Sequence, residues 1–384
     1  MRTNEPLAKP LKRAKFIASA LQKKMNVGDH FWHDNVSLNT YFTHTMHATL
    51  ESALSQRWAQ IQTQLFPSLC TQFDSTSPKL EQLIHILEWV QIEKHLPYIG
   101  QANGRPTKDR QAIASAFVAK TVLNLKTTRD LIDRLGVDRM LRRICGFDSR
   151  KQLPSESTFS RAFTEFAKSN LAEQCHESLV KTHLGNHIVG HLSRDATAIH
   201  AREKPVHKEG KAKIKQSVAQ QRQQSQEQIL AQIPTDCTRG TKCNAQGYTV
   251  SWNGYKLHID TADCAVPVSA MLSSASMHDS LAAIPLSRIT AKRVDSLYDL
   301  MDAAYCSLDL HEHCRALGHV PLIDPNDAIR YRERSSVERT NGRLKDEFGG
   351  RNVMVKGAKK VFSHLTFGLL VLSVDQLMRL VQLE

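Results

Sequence analysis

The feature that most constrains this chain is a change of period. Apolar residues recur at helical spacing as far as about residue 184, and beyond it they recur in short strand-like runs. That order builds a helical block first and an α/β core second. The stretch 32–72 reads as helical with few breakers, and Leu80, Leu83, Ile84, Ile86 and Leu87 continue the pattern over 79–96, before Pro97 and Gly100. Four short helices then follow, at Ile113–Leu125, Thr128–Leu135, Val137–Ile144 and Ser155–Ala167. Thr128 and Asp130 supply cap chemistry, Gly136 and Gly146 stop their helices, and Pro154-Ser155 opens the last one. Past residue 184, His187–His200 is a strand-like run with Asp195 near its end. Residues 203–246 are a Lys- and Gln-rich insertion, expected to be a surface helix or flexible segment that tracks a phosphate backbone. In Tyr248–Ile259, Asn253-Gly254 predicts a two-residue hairpin. A strand at Ala265–Met271 follows, then a helix capped at Asp279-Ser280 and an apolar run, Val294–Met301, that ends at Asp302. Leu308–Leu317 reads as a helix and His319–Ile323 as a short strand.

Residues 331–348 put polar groups where a helix usually carries apolar ones. Tyr331, Arg334, Glu338 and Lys345 are spaced by three, four and seven residues, so on a helix they form one stripe. Val337, Leu344 and Phe348 form the neighbouring apolar stripe and face the core. A carboxylate beside two permanent cations suits a metal site acting on phosphates. Taken alone, the same pattern is equally that of a surface helix laced with ion pairs.

The chain carries 51 Lys and Arg against 38 Asp and Glu, a net charge of +13, which points to nucleic acid ahead of an anionic membrane. The excess is concentrated in three segments, 1–24, 201–222 and 326–360. Eight cysteines form no CxxC pair, as expected of reduced cytoplasmic thiols. His311, His313 and Cys314 lack the second ligand cluster that a zinc site draws on. The basic start has no sustained apolar segment of a secretory signal, so a DNA-contacting arm is the simpler reading of 1–27. Phe362–Leu383 is strongly apolar but is broken by His364, Ser373, Asp375, Gln376 and Arg379, which favours a buried helix over a membrane span.

Tyr, two residues, Arg, three residues, Glu, six residues, Lys resembles the YREK signature of bacterial insertion-sequence transposases of the DDE class, and Tyr331–Lys345 matches it at every position. Asp302 stands in MDAAYCS, similar to that family's second-aspartate motif of Asp, small residue, any residue, Tyr. Gly104-Arg105-Pro106 and the helices up to PSESTFSR look like the family's N-terminal domain, with a helix-turn-helix character in which Arg161 contacts DNA. The resemblance covers roughly residues 104–380. It implies an α/β RNase H-like catalytic core over 184–384, preceded by an all-α helix-turn-helix-like domain over 104–183, a helical region of unknown role over 28–103 and the basic arm.

The resemblance also implies that Asp195, Asp302 and Glu338 are catalytic and hold two Mg²⁺ (or Mn²⁺) ions, while Tyr331, Arg334 and Lys345 contact phosphates of the transposon ends. Double-stranded DNA is then the partner, as transposon end and as target, bound by a homodimer or larger assembly in the bacterial cytoplasm at the nucleoid, with no membrane. Many YREK transposases carry a long β-rich insertion between the second Asp and the Glu, whereas 35 residues separate Asp302 from Glu338 here. The spacing is closer to the branch lacking that insertion and its base-stabilising Trp, which leaves the second-strand cleavage route open. A catalytically silent DNA-binding derivative and an RNase H-like nuclease without strand transfer are the alternatives.

Overall fold

The computed structural model describes residues 77–96, 108–206, 217–243, 246–323 and 332–382. The basic arm, the helix expected over 32–72, Gly104-Arg105-Pro106 and Tyr331 lie outside the described residues.

Among the described residues six α-helices come first: α1 Pro78–Val90, α2 Arg110–Val122, α3 Thr128–Val137, α4 Arg139–Ile144, α5 Glu156–Lys168 and α6 Leu171–Leu184. Their ends follow local chemistry. Asp109 caps α2 by accepting from the amides of Gln111 and Ala112. The cap of α3 is Thr127 rather than Thr128, in a capping box closed by Asp130, and α3 runs through Gly136 to Val137. Sequence reading missed α6, because its apolar positions are diluted by Glu173, Gln174, Glu177, Ser178, Lys181, Thr182 and His183, none of them buried.

The second half is β1 Ile188–His200, α7 Val218–Gln223, α8 Gln226–Gln232, β2 Thr238–Cys243, β3 Thr249–Ala262, β4 Pro267–Ser274, α9 Ser280–Ala291, β5 Asp295–Leu300, α10 Leu308–Ala316, β6 Val320–Leu322, α11 Ser335–Asp346 and α12 Ala358–Gln382. The six strands form one mixed sheet in the order β2-β3-β1-β5-β6, with β4 also paired to β3. β1 is antiparallel to β3 and parallel to β5, and β5 is parallel to β6.

The predicted hairpin at Asn253-Gly254 is absent: β3 runs straight through it. A turn signal takes hold only when its flanking strands pair with each other, and here both flanks have other partners. Residues 249–254 pair with β2, and 254–262 pair with β1. Gly254 serves a close approach instead. It has φ +152°, and a Cβ on it would lie 2.0 Å from the Ile199 carbonyl oxygen.

The insertion also departs from expectation. Its described part, 217–243, is packed rather than loose. Gln221 and Ile229 are fully buried, Gln221 and Gln226 donate to the Leu281 and Pro285 carbonyls, and Arg288 donates to the carbonyls of Gln221, Arg222 and Gln224. Its polar residues bond to backbone, which a count of Lys and Gln does not reveal. Asp279 stands at the start of α9, but its carboxylate pairs with Lys256 at 2.8 Å and caps nothing.

Alternation along β1 separates two helical layers. Arg194 points toward α9, meeting Asp260 and Met301, and Thr290 of α9 donates to the same Asp260. Ser193 and Asp195 point the other way, toward α11. Val337, Leu344 and Phe348 of α11 are buried, as their stripe predicts. α12 is long and apolar enough to cross a membrane, yet 78% of that window is buried. It packs against α1, α2, α5, α6 and β4, and Phe367 stacks beside Phe117 and Phe163. It is a core helix shared by the helical block and the sheet.

Candidate active site

The parallel register of β1 and β5 decides which acids meet. Leu192 pairs with Asp299 and Ser193 with Leu300. The pairing ends there; beyond it Arg194 Nη1 reaches Met301 Sδ at 3.4 Å, and Asp302, two residues past the end of β5, is close enough for its charge to act on Asp195. Asp195 is pushed above the usual carboxylate range by burial and by the Asp302 charge, while the Ala196 amide, Arg334 and Lys242 pull it back. Asp302 caps the short turn Ala303–Tyr305, accepting from the Ala304 amide at 3.0 Å, so one oxygen is fixed by backbone.

The competing acids are engaged elsewhere. Asp299 is buried and accepts from His319 at 3.0 Å, and Glu333 pairs with His191 at 3.0 Å. Asp260 is locked to Arg194 through two contacts of 2.7 Å. That buried pair lies on the opposite face of β1 from Asp195, and it holds β1, β3 and α9 in place beneath the acids.

Helix α11 is fastened to β1 at two points. Ser336 Oγ donates to Ser193 Oγ at 3.0 Å, and Asn341 Nδ2 donates to Asp195 Oδ2 at 3.1 Å. Arg334, Glu338, Asn341 and Lys345 are spaced four, three and four residues apart, so Asn341 completes the stripe read from the sequence. Sequence reasoning passed over it because an amide carries no charge to attract notice. Lys345 is lowered by burial and by Arg351, with Asp195 and Asp346 opposing.

Glu338 is not drawn into the acid pair. It stands one turn from Asn341, and its half-exposed carboxylate accepts from Arg334 at 2.7 Å. Among the described residues, three acidic, His or Cys ligands do not converge on one point. His313 is buried against Ser287 Oγ at 2.9 Å. Arg161 lies on α5, beside Thr164, Glu165 and Lys168, and within reach of Thr158 rather than of the acids.

The donor set fits a divalent cation. The buried Asp195 carboxylate, raised by desolvation and the Asp302 charge, is relieved by a hard cation, and a third acid, Glu338, stands on the helix bonded to Asp195. An exposed i,i+4 pair such as Arg334–Glu338 is worth only about 0.3–0.5 kcal/mol, so it holds the Glu338 carboxylate weakly.

Asp195 and Asp302, with Arg334, Lys345 and Lys242 in electrostatic reach of Asp195, bring together two acids and the kind of cations that can hold a phosphate. Two family models match the chain in succession, a transposase domain (DUF772) over residues 70–165 and a transposase DDE domain over residues 191–374. The chain belongs to the DDE transposases, a family of metal-dependent enzymes of RNase H-like fold that cleave DNA and transfer its strands. Comparison with curated proteins and with solved structures returns no significant match.

Proposed function

We propose that this protein is the transposase of an insertion sequence, binding the element's terminal inverted repeats and acting on their 3′ ends. Asp195 and Asp302 hold the metal, and Glu338 joins them by leaving Arg334. The observation that supports this reading is the buried Asp195 carboxylate within reach of the Asp302 charge, with α11 bonded to Asp195 itself. These acids would hold Mg²⁺ or Mn²⁺, which when bound would supply neutralisation of charge on the phosphodiester oxygens.

The chain's own groups do the rest. Asn341 orients the Asp195 carboxylate, while Arg334, Lys345 and Tyr331 take backbone phosphates. Arg161 on α5 contacts the end in a helix-turn-helix-like block. Hydrolysis breaks the P–O bond at the element's end and leaves a 3′-hydroxyl. In strand transfer that hydroxyl forms a new P–O bond at a target phosphate and expels the target's own 3′ oxygen. One active site per end implies a dimer or larger assembly on paired ends.

The test is incubation with Mg²⁺ and a labelled duplex carrying the element's end, with Glu338→Ala alongside. Cleavage at the 3′ end that disappears in the variant supports the assignment. Cleavage retained in the variant removes Glu338 from the site, and cleavage without joining to a target assigns a nuclease instead.

A further inference from the structure

A second cationic feature lies apart from the acids, where the helical block meets the catalytic half. It is a cleft of about 690 Å³ lined by Lys120, Lys126, Arg129, Arg202, Lys356 and Lys360. Two acids share it, and both are committed. Glu156 pairs with Arg129 at 3.1 Å, and Asp130 accepts from the Thr127 amide at 2.9 Å. Among the described residues, Lys120, Lys126, Lys356 and Lys360 form no ion pair.

Lys120 is the informative member. It sits on α2 with 9% of its surface exposed, lines the cleft, and has no hydrogen-bond partner for its ammonium among the described residues. Burial lowers it to about 8, with Asp130 pulling it back. Its stem is buried while its ammonium opens onto the cleft, and a partly desolvated cation there favours an anion. The ten-residue helix α3 points its N-terminus into the same cleft, with Thr127 and Thr128 in the lining. Its capping box occupies the Thr127 and Asp130 amides and leaves those of the first turn between them for an anion.

The cleft begins where the signature helix ends. Asn124 donates to the carbonyl of Asp346, the last residue of α11, at 2.9 Å, and Lys126 and α3 follow directly. Glu338 to Asp346 spans eight residues, about 12 Å of helix, or between three and four steps of about 3.4 Å along a DNA strand. Resting on the transposase reading above, we propose that this cleft holds backbone phosphates of the bound DNA, three to five nucleotides from the scissile position. Lys120 and the N-terminus of α3 clasp one phosphate, and Lys356 and Lys360 a neighbouring one.

The experiment measures binding of an end duplex and of an unrelated duplex by fluorescence anisotropy across a salt series. The proteins are wild type, Lys120→Met, the surface pair Lys356→Gln/Lys360→Gln, and Lys181→Gln as a control remote from the cleft. Each lost phosphate contact lowers the slope of log affinity against log salt by about one, on both duplexes alike. A methylphosphonate placed three to five nucleotides from the cut weakens wild type but adds nothing to Lys120→Met. The surface pair keeps the test decisive even if Lys120→Met misfolds. Wild-type slopes in the cleft variants, alongside a reduced slope in Lys345→Gln, overturn the cleft and leave the active-site reading standing. Failure of wild type to bind either duplex overturns both.

Discussion

Replacing Asn341 with alanine tests the acid pair without altering any acid. Asn341 is 7% exposed, its amide nitrogen donates to Asp195 at 3.1 Å, and its carbonyl oxygen has no partner among the described residues. A hydrogen bond to a charged group contributes about 1.5–3 kcal/mol, and at about 1.4 kcal/mol per decade its loss is worth roughly ten- to hundredfold. Burial already favours the neutral form of Asp195, so losing this donor weakens its hold on a cation and frees its carboxylate to turn. Single-turnover cleavage of a labelled end duplex, followed across a metal titration, should fall ten- to hundredfold at limiting metal. The half-saturating metal concentration should rise, and metal-free DNA binding should stay within twofold of wild type. A thermal melt of the variant separates misplacement from unfolding. Cleavage within twofold of wild type at every metal concentration would refute the positioning role.

Asp195→Asn and Asp302→Asn should each abolish cleavage while a gel shift still shows end binding, and a variant that cuts at the wild-type rate excludes that acid. Arg194→Met leaves Asp260 buried and unpaired and should cost about 3–5 kcal/mol in urea unfolding, with much of it recovered in Arg194→Met/Asp260→Leu. A single-variant loss under about 1 kcal/mol would contradict that. Gly368→Ala should destabilise strongly, since the added Cβ falls 2.6 Å from Leu344 Cδ1 and 2.8 Å from the Phe348 carbonyl oxygen, and an unchanged melting temperature would show that α11 and α12 are not so tightly packed. Burial, with Arg293 adding for His176, pushes His176 down to about 3 and His258 down to about 4, against about 6.5 in an unfolded chain. Protons then bind the unfolded chain first as pH falls, so stability drops from about pH 6.5 toward pH 4 by up to about 1.4 kcal/mol per unit for each histidine. His258→Gln should flatten that dependence, and equal slopes in urea midpoints from pH 5 to 7 would count against it.

The sequence by itself determined the helical block, the later strands and the two-sided character of α11. Caps and apolar period act within a turn or two of chain, so the end at Gly146 and the buried Val337, Leu344 and Phe348 could be read directly, while the cap at Asp109 was passed over. It also placed Asp195 and Asp302 near the ends of apolar runs, where a sheet exposes its functional edge.

The tertiary structure decided everything that depends on partners distant in sequence. The Asp302 charge reaches Asp195 because β1 and β5 pair across an offset of 107 residues, and nothing local encodes that offset. Asn253-Gly254 carries a turn signal that the pairing of β3 with β1 and β2 overrides. Asn341 and Lys120 look unremarkable in sequence. Their significance lies in what they face, an aspartate on β1 and a basic cleft, and a chain acquires such neighbours only by folding.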